Sequence, residues 1–464
     1  MLIRLFFAIA FFAVGGFSSL FGLDVHTTRI HDDSRLRSSL RDAWLTESPV
    51  QVMAWPSIIQ SLPGGERVQV RVERGSDEFV VIFARELHRG RVATAQNAAV
   101  PRAPTGQFPG WAQGSWMLTR RIDTGAPVSV RTFLRSDPFT FVQFRPLNQE
   151  RVLMDVVVYG SYLVYALPLS LSFERLYTMP VNDVLRLAGN RFPRRYFDPN
   201  PGDFSAQRQL VTQIRSRLAP LRFVDDGALN ESGEFVFIAT GQQQNPGLND
   251  GGLNCSGFAK WLIDGILRPV TGERLAIPPL KAPFGDRGSG FTERWEDQRD
   301  PFFGLDWIRN LASTAGTVLR SQAHSNLEEI EVRRNLFSRV LVPAGTGFVP
   351  RSFPGFLPEA GFGIEGLHGL LYTLAIDEPG RFFLAAVNVE MGPATTPDNL
   401  RGAPRLRQYF HVAAFIPFFD EYGDFRIAVF ESAAETSFAA FRNRYPAGHH
   451  VNLVRVPIVT AFDP

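Results

Sequence analysis

The sequence predicts an α+β protein: an all-β half, then a half that mixes helices with strands and holds the single cysteine. Three observations support this. From about residue 24 to 175, ERVQVRV, DEFVVIFARELH, APVSVRTFLRS and PFTFVQFRPL alternate apolar and polar residues, with Gly, Pro and Asp between them. Short strands at that spacing indicate a sandwich or barrel. Past residue 200 helical spacing appears, and the last hundred residues return to β-rich runs.

At 464 residues the chain is long enough for two or three domains with a substantial core. Its 45% apolar, 12% aromatic and 20% charged residues argue against a disordered or polytopic membrane protein. A net charge of +2 implies no nucleic-acid partner. The basic side is nearly all arginine, and only Lys260 and Lys281 are lysines.

In order along the chain, MLIRLFFAIAFFAVGGFSSLFG places Arg4 before an apolar run, Leu5 to Val14, with small residues following. This is the pattern of a signal peptide, assigned to residues 1–22, and predicts an exported protein, periplasmic or extracellular. The run is short for a transmembrane helix, and its retention as an anchor is the alternative. Residues 24–180 form the β-rich accessory domain. Within it GSWMLTRRIDTGAPVSVRTF predicts a hairpin around Asp123-Thr124-Gly125, residues 97–114 a long loop, and VLMDVVVYGSYLVYALPL (152–169) buried strands. RFPRRYFDPNPGD is linker-like. A second domain, 190–464, opens with a helix over 203–221, whose apolar positions are Leu210, Val211, Ile214 and Leu218. Asp203 or Ser205 would cap it and Pro220 would stop it. GEFVFIAT (233–240) predicts a strand. Residues 268–365 read as a large irregular insertion with helices around DWIRNLASTAGTVLR and NLEEIEVRRNLF. Strands follow at GLLYTLAI, RFFLAAVNVE, YFHVAAFIPFF, DFRIAVFESA and HHVNLVRVPI. No internal repeat is present.

The cysteine lies in GGLNCSGFAKWLIDG. Asn254 is a favoured N-cap residue, and Phe258, Leu262, Ile263 and Ile266 make an apolar face for the helix behind it. The sulfur of Cys255 therefore sits at the positive end of a helix, where a thiolate is stabilised. A lone cysteine is often a small buried hydrophobe, but the position after a glycine-rich loop favours a nucleophile. Ser256 and Gly257 are small enough to admit a close backbone or a substrate. Asn254-Cys255-Ser256 and Asn230-Glu231-Ser232 also match the glycosylation triplet, which is common by chance.

A thiol nucleophile needs a base and a group that orients it. His26, His31 and His88 read as surface residues. His324 and His368 flank the irregular region, and the pair His449-His450 lacks further residues at metal-ligand spacing. His411 opens an apolar strand, and a second strand returns after DEYGD (420–424). If the hairpin pairs around Tyr422, Ala413 faces Glu431. His411 and Glu431 are then diagonal neighbours on one face, roughly 7–8 Å apart at the backbone. A register shift of one would substitute Ser432 for Glu431. Cys255, His411 and Glu431 thus make a candidate Cys–His–carboxylate triad.

These residues resemble a known family. Asn254-Cys255-Ser256-Gly257-Phe258 is similar to the D-C-S-G-hydrophobic motif of NlpC-type cell-wall peptidases, with Asn in place of Asp, and His411-Val412-Ala413-Ala414 is similar to their H-V-G-I strand. The order of cysteine, histidine and third polar residue is kept. The likeness covers short motifs within residues 200–464. The spacing from Cys255 to His411 is longer than in the family, and no tyrosine shortly precedes the cysteine. The resemblance implies a papain-like domain cleaving amide bonds in peptidoglycan stem peptides, with no metal or cofactor. It also implies an oxyanion and substrate loop drawn from Asn254, Ser256, Gln244 and Asn249. The implied partner is peptidoglycan or another peptide substrate; no membrane partner is implied. Acyl transfer or deamidation on another substrate, and a catalytically degenerate cell-envelope binding module, are the alternatives.

Overall fold

Alternating apolar residues build the first sheet of the computed structural model. It describes residues 32–464 except 90–91, 94–98, 101–102, 105, 249, 286–299, 321–325, 346, 359 and 391–406. The expected signal segment, His26, His31, His324 and Asn249 lie outside the described residues.

Eight strands of this sheet lie side by side in chain order: β1 (Ile58–Ser61), β2 (Arg67–Arg74), β3 (Glu78–Arg85), β4 (Trp116–Arg121), β5 (Pro127–Thr132), β6 (Phe141–Pro146), β7 (Val152–Val158) and β8 (Ser161–Leu169). Each pairs antiparallel with the next. Val68, Val70, Phe79, Val81, Phe83, Leu118, Val130 and Met154 point to one buried face. Trp44, Leu45 and Val52 from two short N-terminal helices join that core, as do Val184 and Leu185 from α1 (Val181–Ala188). The Asp123 hairpin forms as expected: the Asp123 carboxylate accepts from Thr124 N–H at 2.8 Å, and Gly125 has φ 69°. Asp155 in the β7–β8 pair is buried, and Arg145 meets it at 2.8 Å.

The linker-like stretch is not a linker. Phe192, Tyr196 and Phe197 are buried in it, and the Tyr196 hydroxyl reaches Asp377 at 3.1 Å. Aromatic burial outweighs its proline content. α2 (Ser205–Ser216) buries Leu210, Val211 and Ile214 and is entered from a 3₁₀ turn over Pro201–Phe204, so neither Asp203 nor Ser205 caps it. The strand expected at 233–240 shrinks to β10 (Phe235–Val236), paired with β9 (Ala228–Leu229). The Asp226 carboxylate accepts from Ile238 N–H at 2.9 Å and Ala239 N–H at 3.1 Å, drawing that backbone out of the ladder.

α3 (Cys255–Thr271) follows, then α4 (Phe303–Arg320). The expected helix at NLEEIEVRRNLF is only a turn, Leu327–Ile330. The chain extends there because the buried carboxylate of Glu331 is taken by Arg309 and Arg333 and its backbone bridges to Val454. The insertion also holds β11 (Arg339–Ala344) and β12 (Gly347–Ser352), a hairpin that returns to the first sheet through Ser161 opposite Val340. The first sheet therefore has ten strands in the order β1 to β8, β11, β12.

The second sheet has the order β13 (Phe362–Gly363), β18 (His450–Pro457), β14 (Arg381–Glu390), β15 (Arg407–Phe419), β16 (Phe425–Glu431), β17 (Ala434–Thr436), all antiparallel. GLLYTLAI, expected as a strand, is instead α5 (Leu367–Asp377). It is buried nearly all round, so its apolar run carries no period, and its leucines suit a helix. Phe382, Leu384 and Ala386 of β14 face α3 and α4, whereas Phe383, Ala385 and Val387 face α5 and α6 (Phe438–Arg444). Helices cover both faces, so these strands read as continuous apolar runs. The architecture is mixed helix and sheet with large antiparallel sheets. Among the described residues, no helix is long and apolar enough to cross a membrane.

Candidate active site

The segment from Asn254 to Gly257 owes its shape to a cap and a backbone crossing. Asn254 caps α3: its side-chain oxygen accepts from Gly257 N–H at 2.7 Å, and its backbone carbonyl takes Phe258 N–H at 2.8 Å. The loop before the helix passes directly over this turn. The Gly227 carbonyl accepts from Asn254 N–H at 3.0 Å, and a Cβ on Gly257 would lie 1.9 Å from that carbonyl oxygen. The small residue after the cysteine therefore admits a neighbouring backbone. Trp307 of α4 donates its indole N–H to the Ser256 carbonyl at 2.9 Å, pinning the turn from the other side.

Behind the turn, α3 is buried on all sides from Ser256 to Leu267, which goes beyond the single apolar face expected. Lys260 and Asp264, one turn apart, pair at 2.7 Å with both side chains 1% exposed. Removing either partner alone would strand a buried charge.

His411 and Glu431 meet as the hairpin register predicts. Phe419 pairs with Phe425 and Ala414 with Phe430, centring the hairpin on Tyr422. The turn is fixed by the Asp420 carboxylate, which accepts from Tyr422 N–H at 3.0 Å and Asp424 N–H at 2.9 Å. His411 Nε2 lies 2.6 Å from Glu431 Oε2. Nε2 thus carries a proton toward the carboxylate, and Nδ1 is left for the thiol. Cys255, half-buried, lies within electrostatic reach of the His411 side chain, the Ser256 hydroxyl and the Val412 backbone N–H.

The electrostatics favour a charged pair. Burial pushes the Cys255 thiol up, but the His411 imidazole and the other donors bring it below its ordinary value. Burial pulls His411 down, yet the neighbouring Cys255 and Glu431 side chains raise it to about 9. Burial raises Glu431 as well, and His411 and Arg444 more than offset this, so its pKa is lowered. The arrangement can hold a thiolate beside an imidazolium, which suits nucleophilic attack on an acyl carbon.

Five of the expected site residues come together: Cys255, His411, Glu431, Asn254 and Ser256. Gln244 serves the approach loop: its amide donates to the Gly252 carbonyl at 2.9 Å and accepts from Gly252 N–H at 2.8 Å. Asn249 lies outside the described residues. Sequence reasoning missed Arg444 and Tyr445, at the end of α6. Arg444 is ion-paired with Glu431 Oε1, and the Tyr445 ring lies 6.0 Å from the His411 ring. Their basic and aromatic character next to a short capped helix was the only signal. His449 and His450 bond backbone carbonyls at 3.1 Å. Among the described residues, no three His, Cys, Asp or Glu side chains gather in metal-binding geometry.

A domain of unknown function (DUF8515) matches residues 26–196, which include β1 to β8 and α1 and end before Cys255. No curated protein and no solved structure matches the chain.

Proposed function

We propose that the chain is an exported cysteine peptidase of the NlpC type, with a papain-like domain that hydrolyses amide bonds in peptidoglycan stem peptides. One observation carries the reading: His411 meets Glu431 at 2.6 Å and interacts with Cys255 at the start of a buried helix. The substrate class comes from the motif resemblance alone.

In the reaction, the Cys255 thiolate attacks the amide carbonyl carbon. The oxyanion develops toward the start of α3, where the N–H of Cys255 is not among those taken by the Asn254 cap. Collapse breaks the C–N bond as the His411 imidazolium gives its proton to the leaving amine, leaving a thioester. His411 then takes a proton from water, which attacks the thioester and releases the carboxylic acid and the thiol. Glu431 keeps the imidazole ring oriented and stabilises its charged form.

The test is mass spectrometry of soluble products from purified peptidoglycan, incubated with residues 24–464 and with the Cys255→Ala form. The reading expects new stem-peptide fragments from the unmutated chain only. Absence of fragments with a rapidly alkylated Cys255 would move the acyl chemistry to another substrate. Absence of fragments with a sluggish thiol would favour a binding module.

A further inference from the structure

The carboxylate of Glu431 has two oxygens and two partners, His411 on Oε2 and Arg444 on Oε1. We propose that Arg444 is a positioning residue of this site, which fixes Glu431 in its ionised form against His411 and so sustains the thiolate of Cys255. The inference rests on the Cys–His reading above and extends it to a fourth member.

The surroundings of Glu431 suit this role. Glu431 is 4% exposed, and burying a carboxylate without a second partner favours its protonation. The groups facing it are His411 from β15, Arg444 from α6, Tyr445 just after it, and, through His411, Cys255 from α3. Glu435 on β17 is engaged elsewhere, by Arg215 at 2.6 Å. The backbone leaves little freedom: Ser432 and Ala433, directly after Glu431, have φ of 49° and 65° in a two-residue turn, with Glu431 paired to Ala434. α6 is anchored too. Ser437 caps it through Ala440 N–H at 3.1 Å, and Phe441 is fully buried. Its last residue and the next thus clamp the relay, Arg444 on the carboxylate and Tyr445 beside the imidazole.

The experiment uses iodoacetamide on the full chain, where Cys255 is the only thiol, with the alkylation rate followed against pH by mass spectrometry. The unmutated protein should alkylate well below the pH at which a free thiol ionises. Arg444→Leu should move that acid limb up by about one pH unit, about tenfold slower at a fixed acidic pH. Arg444→Lys, keeping the charge but losing the guanidinium's donor geometry, should fall between them. A limb that stays put or moves to lower pH in a folded Arg444→Leu chain overturns the proposal. The Arg444 side chain is 49% exposed, so the fold should tolerate the change; if Arg444→Leu unfolds, an unmoved limb in Arg444→Lys overturns it. A free-thiol profile in the unmutated protein would instead refute the Cys–His pair on which the inference stands.

Discussion

Gly257 shows how closely single atoms set this site. Its missing Cβ lets the Gly227 carbonyl cross the first turn of α3, so Gly257→Ala must push the loop away or move the helix start. We expect a loss of about 1–3 kcal/mol, read as a lower urea midpoint, together with altered iodoacetamide reactivity of Cys255. An unchanged midpoint would mean that the crossing is slack. Much at this scale was legible in the sequence. The Asn cap, the helix start at Cys255 and the His411–Glu431 register follow from cap preference and from a turn fixed by Asp420 and Gly423. Arg444 was not, because a surface-like arginine in a short helix has no periodic signature. What makes it a partner is the fold of α6 back onto β16.

At the scale of elements, α6 has seven residues, too few to be stable alone. Its start relies on the Ser437 hydroxyl and its body on Phe441. Ser437→Ala should cost about 1 kcal/mol and lower the thermal midpoint. Because the helix ends in Arg444, it should also shift the alkylation profile of Cys255 in the direction of Arg444→Leu; a stability loss with no such shift would separate α6 from the site. The elements misread from sequence were those whose surroundings overrule local pattern. α5 is an apolar run buried between layers, the 233–240 strand yields to the Asp226 carboxylate, and the helix expected after Asn326 yields to the ion pairs of Glu331. The strands of both sheets were easier, since period two or an unbroken apolar run of modest length is hard to satisfy otherwise.

Over the whole molecule, the two sheets share one core, with Val68 and Phe83 of the first and Leu384 and Phe430 of the second in a continuous cluster. The sequence suggested a boundary near residue 190, but chain order does not record that buried aromatics there tie both parts together. His368 lies at this joint. Its ring meets Tyr159 at 4.1 Å, from the turn between β7 and β8, as well as Phe425 and Phe438 at 5.8 and 4.9 Å. Burial, and then the charge of Arg442, lowers its pKa from 6.5 to about 3. Below pH 6.5 the unfolded chain takes up this proton while the folded chain refuses it until about pH 3, so stability falls across that window. His368→Phe should therefore lose less stability than the unmutated protein between pH 7 and pH 4, measured as urea midpoints; equal losses would place the acid sensitivity elsewhere. The return of β11 and β12 to β8 has a further consequence, in time. A ribosome makes the eight neighbouring strands first, yet the edge at Ser161 has no cover until Val340 has been made. Through that interval the nascent chain carries an open strand edge, the feature most prone to pairing with other chains. The topology thus leaves this edge waiting on a partner from the later half of the chain for as long as the intervening residues take to be made.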